Sequence, residues 1–451
     1  MKRRDFLASM TAAAVPSAPA RPNIVLFISD DHGRLDTPIY GSRVVRTPTL
    51  ERLAAAGTVF ENAFCGSPTC VPSRAILASG LMSVRNGVEA NHTQMRPSVR
   101  TLPSYLAPLG YRVAHFGKSH FQPAANYKDW EFVPGEIRRN GLWSDLDTTS
   151  VDRWLEARDK KDTRPFCLVV GSHSPHVYWE PAEGYDPANV ELPPTFVDTP
   201  ETRAWRARYY TDVTKMDQQL GQIYDSVSRR VGHNTLFVYI SDNGAQWPFA
   251  KWSLYDAGIR LPMVAVWPGV VRARARSKAM LSFTDFLPTF LELAGGKAPA
   301  DLDGRSFASV LRGRSAAHRN HIFATHSGDG KMNVYPMRTV RDARFKYIQN
   351  LRPEYRYTTH IDGGIDLDGK EYWDSWVRKA EANSAAAALV RRYHIRPKEE
   401  LYDTETDPHE TRNIANRPEH RARLAIMRRQ LEDWMKQQGD QGRIFGPPHT
   451  V

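Results

Sequence analysis

Short runs of consecutive apolar residues recur along the first two thirds of the chain, separated by longer stretches with helical periodicity. The clearest runs are residues 23–29, 111–116, 166–171, 235–240 and 263–267. Each run is short and rich in β-branched residues, which is the pattern of a strand buried on both faces of a sheet. Helical segments lie between them, as at 49–56 and 203–228. The alternation predicts an α/β fold with a mostly parallel sheet flanked by helices.

The pattern changes in the last third of the chain. Shorter apolar runs at 321–325 and 345–348 are separated by loops rich in Trp and Tyr, and the segment 418–438 has the pattern of a charged amphipathic helix. These features predict a smaller α+β subdomain. We therefore expect an α/β domain at 21–320 and a C-terminal α+β subdomain at 321–451.

Residues 1–20 have the pattern of an export leader. The segment Arg3-Arg4-Asp5-Phe6-Leu7 carries an arginine pair, and small residues follow up to a cleavage-like site at Ala18-Pro19-Ala20. This predicts a twin-arginine leader and an exported protein, periplasmic or extracellular. The alternative interpretation is a disordered basic N-terminus. No later apolar run reaches membrane-spanning length, so we expect no transmembrane segment.

The composition is that of a globular and basic protein. The chain has 451 residues, of which 41% are hydrophobic and 25% charged, and a formal net charge of +11. A basic surface suits a polyanionic partner such as a sulfated polysaccharide or a nucleic acid. The sequence contains no nucleic-acid-binding motif, so we expect no nucleic-acid partner. Three cysteines are too few for a disulfide framework. The oligomeric state stays open, and a homo-oligomer is compatible with the sequence.

Polar side chains follow four of the predicted strands. They are Asp30 and Asp31 after the first, Lys118 and His120 after the second, His176 after the third, and Asp242 and Asn243 after the fourth. The carboxyl ends of parallel strands meet at one edge of a sheet, and ligands bind at that edge. We therefore expect these side chains, which are scattered along the chain, to converge in space.

Four of these residues form an all-oxygen set, namely Asp30, Asp31, Asp242 and Asn243. Hard divalent cations such as Ca²⁺ or Mg²⁺ prefer oxygen ligands, and no His/Cys set indicates zinc. Either pair alone is better explained by turn residues after a strand. Together, each at a predicted strand end, they predict a metal site, and the residues leave calcium and magnesium open.

Cys70 lies in the segment Cys70-Val71-Pro72-Ser73-Arg74. Pro72 disfavours a helical conformation at the preceding residue, and Ser73 is a candidate N-cap for a helix over 74–81. Cys70 would then lie at or just before a helix N-terminus, where amide donors and the helix dipole favour an anion. The alternative is that Cys70 is a small buried apolar residue.

Three segments together resemble the formylglycine-dependent sulfatases, which have an alkaline-phosphatase-like fold. They are the C-x-P-S-R signature at 70–74, the G-K-x-H motif at 117–120 and the K-x-x-x-Y-x-x-G-x-R-x-P block at 251–262. The resemblance implies that a maturation enzyme oxidises Cys70 to formylglycine. It also implies that calcium is bound by the four oxygen ligands and the modified Cys70.

The resemblance further implies the roles of the catalytic residues. The hydrated aldehyde at position 70 would attack the sulfur of the substrate. Arg74 would hold the hydrate in place, and Lys118 and Lys251 would bind the sulfate oxygens. His120 would take a proton from the hydrate, and His176 or Lys251 would assist the leaving group. The sequence does not determine which of His120, His176 and Lys251 has which of these proton-transfer roles.

Blocks at 324–329, 335–341 and 400–413 resemble the heparan N-sulfatases (sulfamidases), which implies terminal N-sulfoglucosamine of heparan sulfate or heparin as the substrate. Candidate substrate contacts are His92, His326 and Arg338, for which packing is an equally good interpretation. One position departs from the pattern, because Ser174 stands where the sulfamidases carry an acidic residue in the H-x-P-H loop.

Three other functions compete with this interpretation. The first is an O-sulfatase acting on another sulfated carbohydrate. The second is a phosphodiesterase or phosphonate hydrolase of the alkaline phosphatase superfamily, which uses transition metals, and the all-oxygen ligand set disfavours it. The third is a non-catalytic polysaccharide-binding protein, and the complete set of catalytic residues disfavours it because a decayed site would have lost some of them.

Overall fold

The computed structural model describes residues 21–120, 125–139, 143–159 and 162–450. The predicted leader at 1–20 lies outside these residues. Within them, every helix is either too short or too polar to cross a membrane.

Fourteen strands and thirteen α-helices are present in the described residues. The strands are β1 (Asn23–Ser29), β2 (Thr58–Phe64), β3 (Arg112–Gly117), β4 (Glu131–Val133), β5 (Glu136–Arg139), β6 (Trp143–Leu146), β7 (Phe166–Gly171), β8 (Thr235–Ser241), β9 (Arg260–Val266), β10 (Ala275–Ser282), β11 (Ile322–His326), β12 (Met337–Arg341), β13 (Phe345–Asn350) and β14 (Glu399–Asp403). The helices are α1 (Pro48–Ala56), α2 (Cys70–Ser79), α3 (Ser83–Asn86), α4 (Leu102–Leu106), α5 (Thr148–Asp159), α6 (Pro200–Val231), α7 (Asp256–Ile259), α8 (Phe286–Leu293), α9 (Ala308–Leu311), α10 (His360–Gly363), α11 (Lys370–Ala380), α12 (Ser384–His394) and α13 (Arg421–Gln438).

The main sheet has eight strands in the order β10-β2-β9-β8-β1-β7-β3-β4. Only β9 runs antiparallel to its neighbours, which confirms the predicted mostly parallel sheet. The five predicted strands are all present, and the run at 263–267 belongs to the antiparallel β9. Nearly every residue of β1, β7 and β8 is buried. Because successive side chains on a strand point to opposite faces, both faces of the sheet are covered.

A second sheet, antiparallel and in the order β11-β12-β13-β14, lies in the C-terminal part of the chain. Helix α13 packs on it with a small apolar cluster that includes Tyr347, Leu401, Met427 and Leu431. The intervening helix α11 instead packs on α6 of the main domain, where Trp376 donates to Thr202 Oγ1 at 2.7 Å. Residues on both sides of the predicted boundary near 320 therefore share one core.

The helix that carries Cys70 begins earlier than predicted. α2 starts at Cys70, so Pro72 lies in its first turn and Ser73 is not the N-cap. Proline is tolerated there because the first amides of a helix have no intrahelical acceptor. The Ser73 hydroxyl donates to the backbone carbonyl of Asp242 at 2.5 Å. The helix ends at Ser79, two residues before the end of the predicted segment, because Gly80 adopts a left-handed conformation.

Candidate active site

The predicted catalytic residues converge at the carboxyl edge of the main sheet. Strands β8, β1, β7 and β3 are consecutive neighbours in that sheet. Each is followed by one of the polar groups found in the sequence, so four loops meet over the sheet edge. The structure brings together all of the predicted metal and catalytic residues, which are Asp30, Asp31, Cys70, Arg74, Lys118, His120, His176, Asp242, Asn243 and Lys251.

Cys70 lies at the centre of this group as the first residue of α2. Its side chain is 1% exposed, and Sγ is 3.4 Å from Asp30 Oδ1 and 4.0 Å from Lys118 Nζ. The side chain of Thr69, just before the helix, makes no capping hydrogen bond. Asn91 caps the helix instead, because its Oδ1 accepts from the Val71 amide at 3.2 Å. The first turn is thus held by a side chain from a separate loop.

Four side chains could hold a metal ion. Ligand atoms of Asp30, Asp31, Cys70 and Asp242 all lie within 4.8 Å of one another, and all four residues are buried. Asn243 completes the set, since its Oδ1 is buried and has no hydrogen-bond partner among the described residues. A buried oxygen without a partner is costly, and a cation would satisfy it. The oxygen ligands Asp30, Asp31, Asp242 and Asn243 therefore fit the predicted site for a hard cation, with the Cys70 side chain beside them.

The pKa values of the three carboxylates are shifted in different directions. Burial raises the pKa of Asp31, and burial together with Asp30 raises the pKa of Asp242 to about 7. Burial alone would also raise the pKa of Asp30, but the charge of Lys118 beside it holds that pKa well below its usual value. A bound divalent ion would stabilise all three carboxylates in their charged form.

Three cations border the acidic group. Lys118 pairs with Asp30, and Lys251 Nζ donates to Asp31 Oδ2 at 2.7 Å. Arg74 donates from Nε to Asp242 Oδ2 and from Nη1 to the Lys118 carbonyl, both at 2.9 Å, and its Nη2 lies 2.9 Å from the same Asp242 oxygen. All three cations are buried, so their positions are fixed before any substrate arrives.

Two histidines complete the group. His120 has a left-handed backbone conformation, and burial and the charge of Lys118 hold its pKa well below the usual value. Burial and the charge of Lys251 likewise hold the pKa of His176 well below the usual value. The Nε2 atom of His176 lies 3.7 Å from Asp31 Oδ2. His176 Nδ1 is 2.6 Å from the Val177 carbonyl. Because a carbonyl only accepts, Nδ1 carries the hydrogen and Nε2 holds the lone pair in the neutral ring.

Calcium should raise the melting temperature of chelator-treated protein. At about 100 times its Kd, a ligand that binds only the folded state adds about 2.7 kcal/mol of stability, so a shift of several degrees is expected in differential scanning fluorimetry. Asp242→Asn should remove the shift. The control Asp217→Asn alters a buried carboxylate that accepts from the Thr49 and Leu50 amides, and it should keep the shift. If calcium raised the melting temperature equally in the wild type and in Asp242→Asn, calcium would not bind at this group of residues.

The three candidate substrate contacts lie in different surroundings. His92 is 61% exposed, with Nε2 3.5 Å from Asp329 Oδ1. His326 is buried, and its Nε2 lies 2.6 Å from Asn333 Oδ1. Arg338 is fully buried and pairs with Asp440 through Nε and Nη2. Of the three, the structure gives only His92 a solvent-accessible side chain, and it places His326 and Arg338 in internal packing.

Sequence reasoning missed a carboxylate beside the catalytic group. Asp329 accepts from Asn91 Nδ2 at 3.0 Å and from Trp252 Nε1 at 2.7 Å. Asn91 is the residue that caps α2, and Trp252 follows Lys251. Asp329 therefore links both sides of the site to the C-terminal subdomain. Trp252 and Asp329 lie in the recognised blocks at 251–262 and 324–329, but neither block indicates their contact, and Asn91 falls in no recognised pattern.

The chain matches two family profiles. The profile described as Sulfatase matches residues 22–296, and the profile described as N-sulphoglucosamine sulphohydrolase, C-terminal, matches residues 244–361. The fold and the site are those of a hydrolase with a buried acidic group beside its candidate nucleophile. The chain belongs to the sulfatase family.

Individual relatives agree with this assignment. The Ulvan-active sulfatase of Formosa agariphila is 32% identical over 435 residues, covering 93% of this chain and 81% of that protein. Human N-sulphoglucosamine sulphohydrolase is 28% identical over 460 residues, which cover 92% of this chain and 90% of that protein. The solved structure of a 2-O GAG sulfatase superposes with a TM-score of 0.71 at 21% identity, covering 95% of both chains, and shows the shared fold.

Proposed function

We propose that the protein removes sulfate from a sulfated glycan, and that its substrate is the N-sulfoglucosamine of heparan sulfate or heparin. The observation that carries the proposal is the position of Cys70, whose Sγ lies within 4.0 Å of both Asp30 and Lys118 in a buried group of acidic ligands. The N-sulphoglucosamine sulphohydrolase match at 244–361, which includes Lys251, supports the choice of substrate.

We propose calcium and a formylglycine made from Cys70 as the two groups that the site requires. Asp30, Asp31, Asp242, Asn243 and the residue at position 70 would hold the calcium. Bound together, these groups would supply a hydroxyl nucleophile and a positive charge for the sulfate oxygens. The chain itself contributes the ammonium groups of Lys118 and Lys251, which come from two loops, and the guanidinium of Arg74 on α2.

The histidines are assigned to proton transfer. His120 is kept neutral by burial and by neighbouring cations, so it can accept a proton at a ring nitrogen. His176 handles a proton at Nε2, because Nδ1 is engaged by the Val177 carbonyl. Lys251 stays charged, since its pKa is raised by Asp31 against the opposing effect of burial. Both Lys251 and His176 approach Asp31 and are the two candidates that assist the departing nitrogen or oxygen. Lys251 already carries the proton to be donated, whereas His176 would first have to take up a proton at Nε2.

The burial of Cys70 bears on when it would be modified. A side chain that is 1% exposed at the start of a buried helix offers no access to another enzyme. We therefore propose that the maturation enzyme acts on the chain before it folds. Export of the folded protein by the twin-arginine route would follow, to the periplasm or the cell exterior.

The substrate is tested by sulfate release from two monosaccharides. The protein is co-expressed with a maturation enzyme and assayed on N-sulfoglucosamine and on glucosamine 6-sulfate. We expect release from the N-sulfate, with kcat/KM at least about tenfold above that for the 6-sulfate, which corresponds to 1.4 kcal/mol in transition-state binding. The reverse order would overturn the substrate and leave the reaction class intact.

A second candidate is an O-sulfatase acting on another sulfated polysaccharide. Two observations favour it, namely Ser174 in the H-x-P-H loop and the 32% identity to an Ulvan-active sulfatase. Release of sulfate from ulvan, with none from either glucosamine sulfate, would establish this candidate in place of the first.

A further inference from the structure

The free edge of the main sheet carries a row of cationic side chains outside the candidate active site. The segment Arg272-Ala273-Arg274-Ala275-Arg276-Ser277-Lys278 has a cation at every second position, and all four cations are exposed. Arg276 and Lys278 belong to β10, the terminal strand of the sheet. Side chains two residues apart on a strand lie on the same side, about 6.6 Å from one another. Arg272 and Arg274 lie just before the strand, in the segment that leads into it, where Arg274 adopts a left-handed conformation.

The first half of β10 is the open part of this edge. Residues 279–282 are buried, and Met280 forms a bridge with Arg319 of the following segment. Residues 275–278 alternate between half-buried and exposed, and in the part of the chain that the structure describes no strand pairs with their outer side. The cations therefore lie where the edge meets solvent.

Glu61 connects Arg276 to two further arginines, Arg34 and Arg260. Arg276 and Arg34 both pair with the Glu61 carboxylate, and Arg260 Nε donates to the Glu61 carbonyl at 2.9 Å. Arg276 remains 50% exposed in this arrangement. Arg260 lies opposite Phe64 at the carboxyl end of β2, which is the catalytic edge of the sheet. The basic cluster, defined as Arg34, Arg260, Arg272, Arg274, Arg276 and Lys278, thus extends from the open edge toward the active-site end.

Positive charge predominates in the basic cluster. Among the described residues, Arg272, Arg274 and Lys278 have no carboxylate within 4.0 Å, and the other three cations share Glu61 and Asp256. Lysine and other charges on an edge strand also prevent pairing with another sheet. Edge protection does not account for Arg272 and Arg274, which lie before the strand, or for the gathering of Arg34 and Arg260 at Glu61.

We propose that the basic cluster binds an anionic segment of the polysaccharide substrate at a distance from the sulfate that reacts. The inference rests on the proposed sulfated-glycan substrate. Arginine matches sulfate and carboxylate groups through paired hydrogen bonds, and a row of such side chains matches a chain with anionic groups on successive sugars. Binding of this kind would raise the local concentration of polymer without changing the reaction at position 70.

The test is direct binding of heparin by isothermal titration calorimetry at several salt concentrations. One variant replaces Arg272, Arg274 and Lys278 by serine. A matched control replaces Arg421, Arg429 and Lys436, which are exposed on α13, by serine, so that each variant removes three positive charges. We expect at least about tenfold weaker heparin binding and a shallower salt dependence in the edge variant only, as counterion release from a polyanion requires. Its kcat/KM on monosaccharide N-sulfoglucosamine should equal that of the wild type.

Several results would overturn the proposal. Equal loss of heparin binding in both variants would show that only total charge matters. Unchanged heparin binding, together with new oligomers in light scattering, would assign these charges to edge protection. Weakened binding of double-stranded DNA with unchanged heparin binding would assign the cluster to nucleic acid. Calorimetry needs no turnover, so failure of the proposed catalytic activity would leave this test interpretable.

Discussion

Replacing Cys70 by alanine should lower sulfate release by at least about 10⁴-fold, as expected when the nucleophile of an enzyme is removed. The Cys70 side chain lies at the point where Asp30, Lys118 and the first turn of α2 meet. Of the described cysteines, only Cys70 belongs to the acidic group, while Cys65 Sγ contacts the Gly258 carbonyl and Cys167 is buried within β7. The measurement is steady-state sulfate release, with calcium-dependent melting as a check that the site still forms.

The matched control for this prediction is Cys65→Ala, which removes an equally buried thiol outside the acidic group. It should retain activity within a few-fold. In the wild-type protein co-expressed with a maturation enzyme, mass spectrometry of the peptide containing residue 70 should show the mass loss of thiol-to-aldehyde conversion. Protein made without that enzyme should keep the thiol and be inactive. Full activity in Cys70→Ala, or in protein that retains the thiol, would contradict the proposed chemistry.

The centre of the fold was predictable because its strands are buried on both faces. β1, β7 and β8 are nearly continuous apolar runs, and the polar residues that follow them stand out in the sequence. β2 and β10 were not predicted. β2 contains Glu61 and Asn62 at an irregular pairing with β9, and the first half of β10 is charged because it forms the sheet edge. Neither strand has the apolar run that identified the others.

The candidate site was predictable where its residues follow strands and was missed where they come from loops. Asp329 and Asn91 are 238 residues apart in the chain, and only tertiary folding joins them. Arg338 lies in a recognisable block, yet its partner Asp440 is 102 residues away, so its burial could not be read from the sequence. The early start of α2 was missed because Asn91, rather than a residue next to the helix, provides the cap.

The second large effect is expected at Lys346, which connects the two sheets. Lys346 is fully buried on β13, and its Nζ contacts Asp256 Oδ1 at 2.5 Å, Glu410 Oε1 at 2.7 Å and the Leu254 carbonyl at 3.1 Å. Lys346→Met should lower the free energy of unfolding by about 3–5 kcal/mol, because removing one partner leaves buried charges uncompensated. Urea denaturation measures the change.

The difference in the free energy of unfolding between Lys346→Met and the wild type should grow with pH because of Glu410. Burial raises the pKa of Glu410 to about 7, although Lys346 lowers it. Without Lys346 the pKa should rise further. A carboxyl group with a higher pKa in the folded state costs stability as pH rises from its unfolded pKa, and the cost levels off above its folded pKa. In Lys346→Met the decline continues to higher pH, so the difference from wild type should be larger at about pH 9 than at about pH 6.

Lys370→Met is the matched control for this prediction, since Lys370 forms a partly exposed i,i+4 pair with Asp374 at 2.7 Å on α11. Exposed pairs contribute about 0.3–0.5 kcal/mol, so this variant should unfold close to the wild type. In Lys346→Met, Leu254 and Asp256 lose their contact with Lys346. Both lie in the block that begins with Lys251, so this variant should also show a reduction in kcat that is larger than its change in KM. Equal stability of Lys346→Met and Lys370→Met would show that the ion-pair cluster does not hold the catalytic loop to the C-terminal sheet.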